Sequence, residues 1–135
     1  MMKINSKSDI IQAPDAKIFV MVTDLKKFGE FLPPQVQDWN AEENFCEFSV
    51  AGMVKARVEI VEKVEFSKVV YEIKNDKNLP VRFQIDISGN GAANSAVDVG
   101  IEADVPFFLQ GMVKEPLQKV ADVMATKIKE LAERQ

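Results

Sequence analysis

The side chains able to do chemistry are few enough to take in turn. The 135 residues contain no histidine, which removes the commonest general base and the commonest zinc ligand and leaves carboxylates, lysines and Tyr71 for proton transfer. By strand parity Glu62 shares a side with Val58 and Ile60, and Tyr71 shares one with Val69 and Ile73. Ser6 and Ser8 are further polar residues on inward positions. An inward Glu62 has to be hydrogen-bonded, protonated or near an open rim, because an unpaired buried carboxylate is costly. The other reading puts it at a bulge or strand end facing water. Tyr71 and Glu62 are therefore candidate polar anchors for a ligand's head group, since apolar pockets usually contain a few such groups. Each also has a purely structural reading.

The remaining constellations read as structure. Cys46 falls on an inward position with neither a second cysteine nor a histidine, so it behaves as a small buried hydrophobe. Asp98, Glu102 and Asp104 alternate along an outward strand face, where charges meet solvent, and no hard-metal site is expected there. Gly89-Asn90-Gly91 suggests a phosphate loop, but Ala-Ala-Asn-Ser and another strand follow it rather than a helix N-terminus, so it reads as a hairpin turn. No metal and no cofactor are expected.

The elements that must position these groups follow from periodicity. From about Phe107 to Glu133, Leu109, Val113, Leu117, Val120, Met124, Ile128 and Leu131 recur at three- and four-residue steps, with Lys114, Gln118, Asp122, Lys129 and Glu133 opposite. That is a helix of about 40 Å at about 1.5 Å per residue. Pro116 inside it either kinks it, making its front half with Gly111 and Met112 a possible gate, or marks its true first turn. The cluster Phe107-Phe108-Leu109 with Met112 is read as core, the usual place for apolar residues at helical spacing; the other reading is a tip touching a membrane. At the other end of the chain, residues 2 to 12 alternate as a strand, and Pro14 opens a helix reaching about Asp24. Leu25 to Leu32 forms a second short helix, ended by Pro33-Pro34.

From Val36 the period changes to two, with breaks at 41–44, 51–52, 65–68 and 75–80. The inner face carries Cys46, Phe48 and Val50; Val54, Ala56, Val58 and Ile60; Val69, Tyr71 and Ile73; Val81, Phe83, Ile85 and Ile87; and Val97, Val99 and Ile101. Lysines, arginines and acids hold the other face, the pattern of an antiparallel sheet with one wet side. Such a sheet needs a cover, and the C-terminal helix is the element long enough to supply it.

The totals limit the function classes. The length fits a single domain over 1–135, and the net charge of −4 argues against a phosphate-binding surface, so nucleic acid is not expected. One cysteine points to a reducing compartment. The start, MMKINSKSDIIQ, has no secretory apolar run and no stretch reaches membrane-spanning length, so a cytoplasmic protein without stable membrane insertion is expected.

The order strand, two short helices, six strands, long helix resembles the helix-grip fold of the START-like, birch-pollen-allergen-like superfamily, which includes polyketide cyclases, lipid-transfer proteins and coenzyme-Q-binding proteins. Two stretches carry the likeness: IQAPDAKIFVMVTDLKKFGEFLP, similar to the opening strand and helices with their D-x-x-x-[FY]-x-x-[FW]-L-P pattern, and PFFLQGMVKEPLQKVADVMATKIKELAER, similar to the closing helix. The resemblance implies an α+β helix-grip fold: a curved antiparallel sheet of about seven strands wrapped around the C-terminal helix, with two short helices between strands 1 and 2. It also implies a cavity for an apolar molecule. The ligand-contacting candidates are then Phe48, Val58, Glu62, Tyr71, Phe83, Ile85, Val99, Met112 and Leu117. A binding protein for a lipid, isoprenoid or polyketide-like molecule is the first expectation. A cyclase or dehydratase using Tyr71 or Glu62 is the second. A protein-interaction scaffold whose core is filled by Phe48, Phe83 and Met112 is the third.

Overall fold

The computed structural model describes residues 2–6, 9–27, 36–42, 45–50, 54–76, 80–89 and 93–134. In chain order these form β1 (Met2–Asn5), β2 (Asp9–Ile11), α1 (Asp15–Thr23), β3 (Val36–Ala41), β4 (Phe45–Val50), β5 (Val54–Val64), β6 (Lys68–Asn75), β7 (Val81–Gly89), β8 (Ser95–Ala103) and α2 (Phe107–Glu133). The strands make one antiparallel sheet in the order β1-β8-β7-β6-β5-β4-β3, with β2 also paired to β8. Consecutive strands from β3 to β8 are neighbours, as short connections require. The period-two pattern sets the register: Cys46 lies opposite Val58, Val58 opposite Ile73, Tyr71 opposite Phe83, and Phe83 opposite Ile101. All of these belong to one apolar core that α2 covers with Ala121, Met124, Ile128 and Ala132. This is the α+β helix-grip architecture expected from the sequence.

One end of the grip is closed by α1. Ile18 and Val22 of this helix are fully buried, and Phe19 meets Phe66 of the β5–β6 turn edge-on with ring centroids 5.8 Å apart. The fully buried Tyr71 hydroxyl donates to the Val22 carbonyl, one of the last-turn acceptors of α1 that has no partner within the helix. At the start of α1, Asp15 lies against Gly89, where a Cβ would stand 2.7 Å from the Asp15 carboxylate. The back of α2 is fastened to the same end. Lys129 donates to the Ile10 carbonyl (2.8 Å) and pairs with Glu133 (3.1 Å); Glu133 accepts from the Gln12 N–H (2.9 Å), and Lys17 donates to the Arg134 carbonyl (2.7 Å).

Several expectations are revised. The opening strand is two strands, broken at Ser6, whose N–H and hydroxyl oxygen both engage Val99 across the sheet (2.8 and 2.9 Å). Ser6 is thus a ladder residue. Ser8 lies outside the described residues, as does most of the second short helix; its first residues, 25–27, form a turn after α1. Glu62 does not face inward: the β5–β6 register shifts between Ile60 and Glu62, and this bulge turns the carboxylate outward to Lys68 at 3.0 Å. Pro116 does not mark a first turn, because α2 begins at Phe107 and runs through it. The cluster at the front of α2 is not core: Phe107, Phe108 and Met112 are 88%, 80% and 73% exposed, and Leu109 alone of that group packs on the interior. The side chains of Val50 and Val54, and Asn90 and Gly91 of the expected hairpin turn, lie outside what is described, while Gly89 ends β7.

On the outer face Asp86 and Asp98 are directly opposite one another. Asp86 accepts from Gln84 (2.8 Å), whereas Asp98 Oδ1 is shielded from solvent without a hydrogen-bond partner among the described residues. Burial first, then the Asp86 charge, raise the Asp98 pKa, against a smaller opposing pull from Lys3. The folded state therefore holds this proton more tightly than the unfolded chain. The contribution of Asp98 to stability is greatest below the ordinary aspartate value of about 3.9 and falls as pH rises through the raised folded value. Asp98→Asn should raise the melting temperature by a few degrees at neutral pH and lose that advantage in acid; an equal shift at both pH values would contradict this. Tyr71→Phe keeps the packing on Phe83 (ring centroids 4.8 Å) but leaves the Val22 carbonyl unpaired. It should cost about 1–3 kcal/mol in urea unfolding with an unchanged m-value.

Candidate functional site

The coverage of the concave face is uneven, and the unevenness defines the site. The closest packing of α2 is on β1, β2 and β8 and on α1, while α1 lies over β6 and β7. The inner surface of β3 to β5 lies across the sheet from this line of contact. Trp39, Ile60, Ile73 and Val81 are only partly buried, although all pack on the core, whereas Cys46, Phe48, Ala56 and Val58 of β4 and β5 are buried. From the front half of α2, Leu109, Val113, Leu117 and Val120 also pack on the core half-buried, whereas the back half supplies the fully buried side chains. Among the described residues, Trp39, Ile73, Val81, Leu109 and Val113 are thus apolar core side chains whose burial is incomplete.

The strands position this lining by alternation. Trp39 of β3 stacks on Phe48 of β4 (centroids 6.1 Å, planes 23° apart), which places the indole on the concave side at the edge of the sheet. The front of α2 is held there by Val105, whose carbonyl accepts from Gln110 (3.1 Å), by the Asp104 N–H donating to the Pro80 carbonyl (3.0 Å), and by Gln118 donating to the Asn5 carbonyl (2.8 Å).

Of the residues expected to contact a ligand, Phe48, Val58, Tyr71, Phe83, Ile85 and Val99 lie together on the concave face, and Leu117 projects from α2 toward the same core. Glu62 and Met112 do not join them. Because Met112 points outward, Phe48, Phe83 and Met112 do not meet at the centre. Trp39 was missed: a register irregularity between Gln37 and Asn40 interrupts the alternation of β3, and the surviving signal was the shared parity of Trp39 and Ala41. Ser95 was missed too; its buried hydroxyl donates to the Ala13 carbonyl (2.8 Å) and helps fix the entry to α1.

Among the described residues the titratable groups of Cys46 and Tyr71 lie in the interior, and burial favours the neutral form of both. The Cys46 thiol is pushed up to about 12 by burial, with a backbone hydrogen bond from Val58 pulling back only in part and Glu47 adding a small push. The Tyr71 hydroxyl is raised well above its usual value by burial and then by neighbouring Cys46. A thiol so far from ionising is a poor nucleophile at physiological pH, and the Tyr71 proton is committed to Val22. Among the described residues no group of three or more cysteine or carboxylate side chains could hold a metal ion, and no helix is long and apolar enough to cross a membrane. The outer face of α2 carries mixed charges such as Glu115, Lys119, Asp122 and Lys127.

No protein-family model matches the chain, and no curated protein is similar to it. Solved structures are. A conserved protein from Geobacillus kaustophilus superposes with a TM-score of 0.77 at 10% identity, covering 97% of this chain and 95% of its own. Truncated norcoclaurine synthase from Thalictrum flavum gives 0.75 at 12% identity, covering 99% and 94%. A START superfamily protein from Mycobacterium smegmatis gives 0.67 at 13% identity, covering 96% and 98%. At such identities the likeness speaks for the backbone alone, and over nearly its whole length this chain has the START-like, birch-pollen-allergen-like helix-grip fold.

Proposed function

We propose that this chain binds a small hydrophobic or amphipathic molecule, such as a lipid, isoprenoid or polyketide-like ring, between the front half of α2 and the concave face of β3 to β7, without chemically changing it. One observation carries the reading: Leu109, Val113 and Leu117 on the helix and Trp39, Ile73 and Val81 on the strands all pack on the apolar core and are all only partly buried. Their burial would be completed by an apolar guest, at about 25 cal/mol per Å² covered. Recognition would rest on shape and apolar contact, with Phe48 backing Trp39 as an aromatic wall. The cyclase or dehydratase reading is less well supported, because the Tyr71 hydroxyl is taken by the Val22 carbonyl and Glu62 stands outside with Lys68.

Native mass spectrometry of the purified protein, followed by denaturation and analysis of released small molecules, should find an apolar compound in stoichiometric amount. Leu117→Trp, which fills the space from the helix side, should abolish its retention while the protein stays folded by circular dichroism. Absence of any bound molecule, together with no thermal shift against a panel of lipids and aromatic compounds, would sink the proposal.

A further inference from the structure

The first two turns of α2 are apolar on both faces. Residues 107–113 read Phe-Phe-Leu-Gln-Gly-Met-Val, with Gln110 the one polar side chain. Leu109 and Val113 turn inward, while Phe107, Phe108 and Met112 stand on the outer arc at 88%, 80% and 73% exposure. At 100° per residue these three fall within about 140° of arc, so they form one patch. Gly111 lies within that arc, and nothing stands within 4 Å of where its Cβ would be. A surface helix normally turns polar side chains to water on this side, as the same helix does further on with Glu115, Lys119 and Glu130.

We propose that this patch makes a reversible, peripheral contact with a lipid surface, presenting the open end of the grip to it. The patch offers roughly 400–500 Å² of apolar side-chain surface, against about 800 Å² per partner in a standard stable protein–protein interface. A second copy or a protein partner would thus find about half of what it needs, whereas a lipid surface accepts protruding apolar side chains without requiring a matched shape. The charge around the patch selects the kind of lipid. Lys114 and Glu115 balance one another, exposed Asp104 precedes the helix, and the chain carries a net charge of −4. The described residues flanking the patch in sequence thus carry no excess of positive charge, which favours a zwitterionic surface and binding insensitive to salt. The proposal deepens the apolar-ligand reading by placing the source or destination of the guest at a bilayer. It fails separately from that reading, because partition onto vesicles needs no loaded interior and ligand retention needs no vesicle.

The test is flotation of the full chain with phosphatidylcholine vesicles at low and high salt. The protein should float with the vesicles at both. Phe107→Ser and Phe108→Ser should each cut partition by about tenfold or more, with unchanged melting temperature because both side chains are already in water. Val20→Ser, at a 65% exposed position on α1 at the closed end, controls for general stickiness and should leave partition unchanged. Protein remaining with the soluble fraction would overturn the proposal, as would equal losses in the Val20 variant. A dimer by light scattering that Phe107→Ser dissolves, with no vesicle partition, would overturn it in favour of a second copy.

Discussion

A single helix about 10–12 Å across has to cover a sheet whose strands are spaced about 4.8 Å apart. One helix therefore shields about two strands, and the described sheet has eight. The rest of the structure follows from that mismatch. Along its closest line α2 covers β8 and the short β1 and β2 beside it, and α1 takes up β6 and β7 at one end. Trp39 of β3, Ile60 of β5, Ile73 of β6 and Val81 of β7 are partly buried, while Cys46, Phe48, Ala56 and Val58 of β4 and β5 are buried. Curvature moderates the deficit by bringing the far strands toward the helix, as sheet twist allows, but Trp39 and Ile60 still retain exposure.

The closed end shows what full coverage requires. Placing α1 over the sheet sets a helix terminus against an apolar face, where its unpartnered carbonyls would be costly. The Tyr71 hydroxyl meets that need at Val22, and the Ser95 hydroxyl does the same for the chain entering the helix at Ala13. Two buried polar side chains on the concave face are thus committed to the backbone of the element they hold. Among the described residues the buried Ser6 hydroxyl is likewise engaged by backbone, accepting from the Val99 N–H.

The fold was legible because its signals were long. Twenty-seven residues of helical period and long runs of alternation over β4 to β8 leave little freedom in assigning faces, and the inward residues from Cys46 to Ile101 whose side chains are described lie where parity puts them. What was not legible turns on single-residue events. One extra residue between Ile60 and Glu62 reverses the side on which everything after it falls, and a carboxylate beside two isoleucine and valine positions gives no sign of that reversal in a string of letters. The irregularity in β3 concealed Trp39 in the same way. At the front of α2 the difficulty was different: Phe107, Phe108 and Met112 have the types of core residues, and their position on the outer arc depends on which side of the helix the sheet occupies.

That outer arc bears on how α2 is held. Its back half has the buried Ala121, Met124, Ile128 and Ala132 and the Lys129, Glu133 and Arg134 contacts to β2 and α1. Its front half has half-buried leucine and valine contacts and, at Pro116, a position that cannot donate to the Met112 carbonyl. A helix fixed at one end and interrupted in its backbone ladder bends most easily at the interruption. Here the interruption separates the part that completes the core from the part that borders the open end. Bending there would move Leu109 and Val113 while leaving the back-half contacts to β2 and α1 in place. In an unbroken, evenly buried α2 the same movement would disturb the side chains that hold the sheet and helix together.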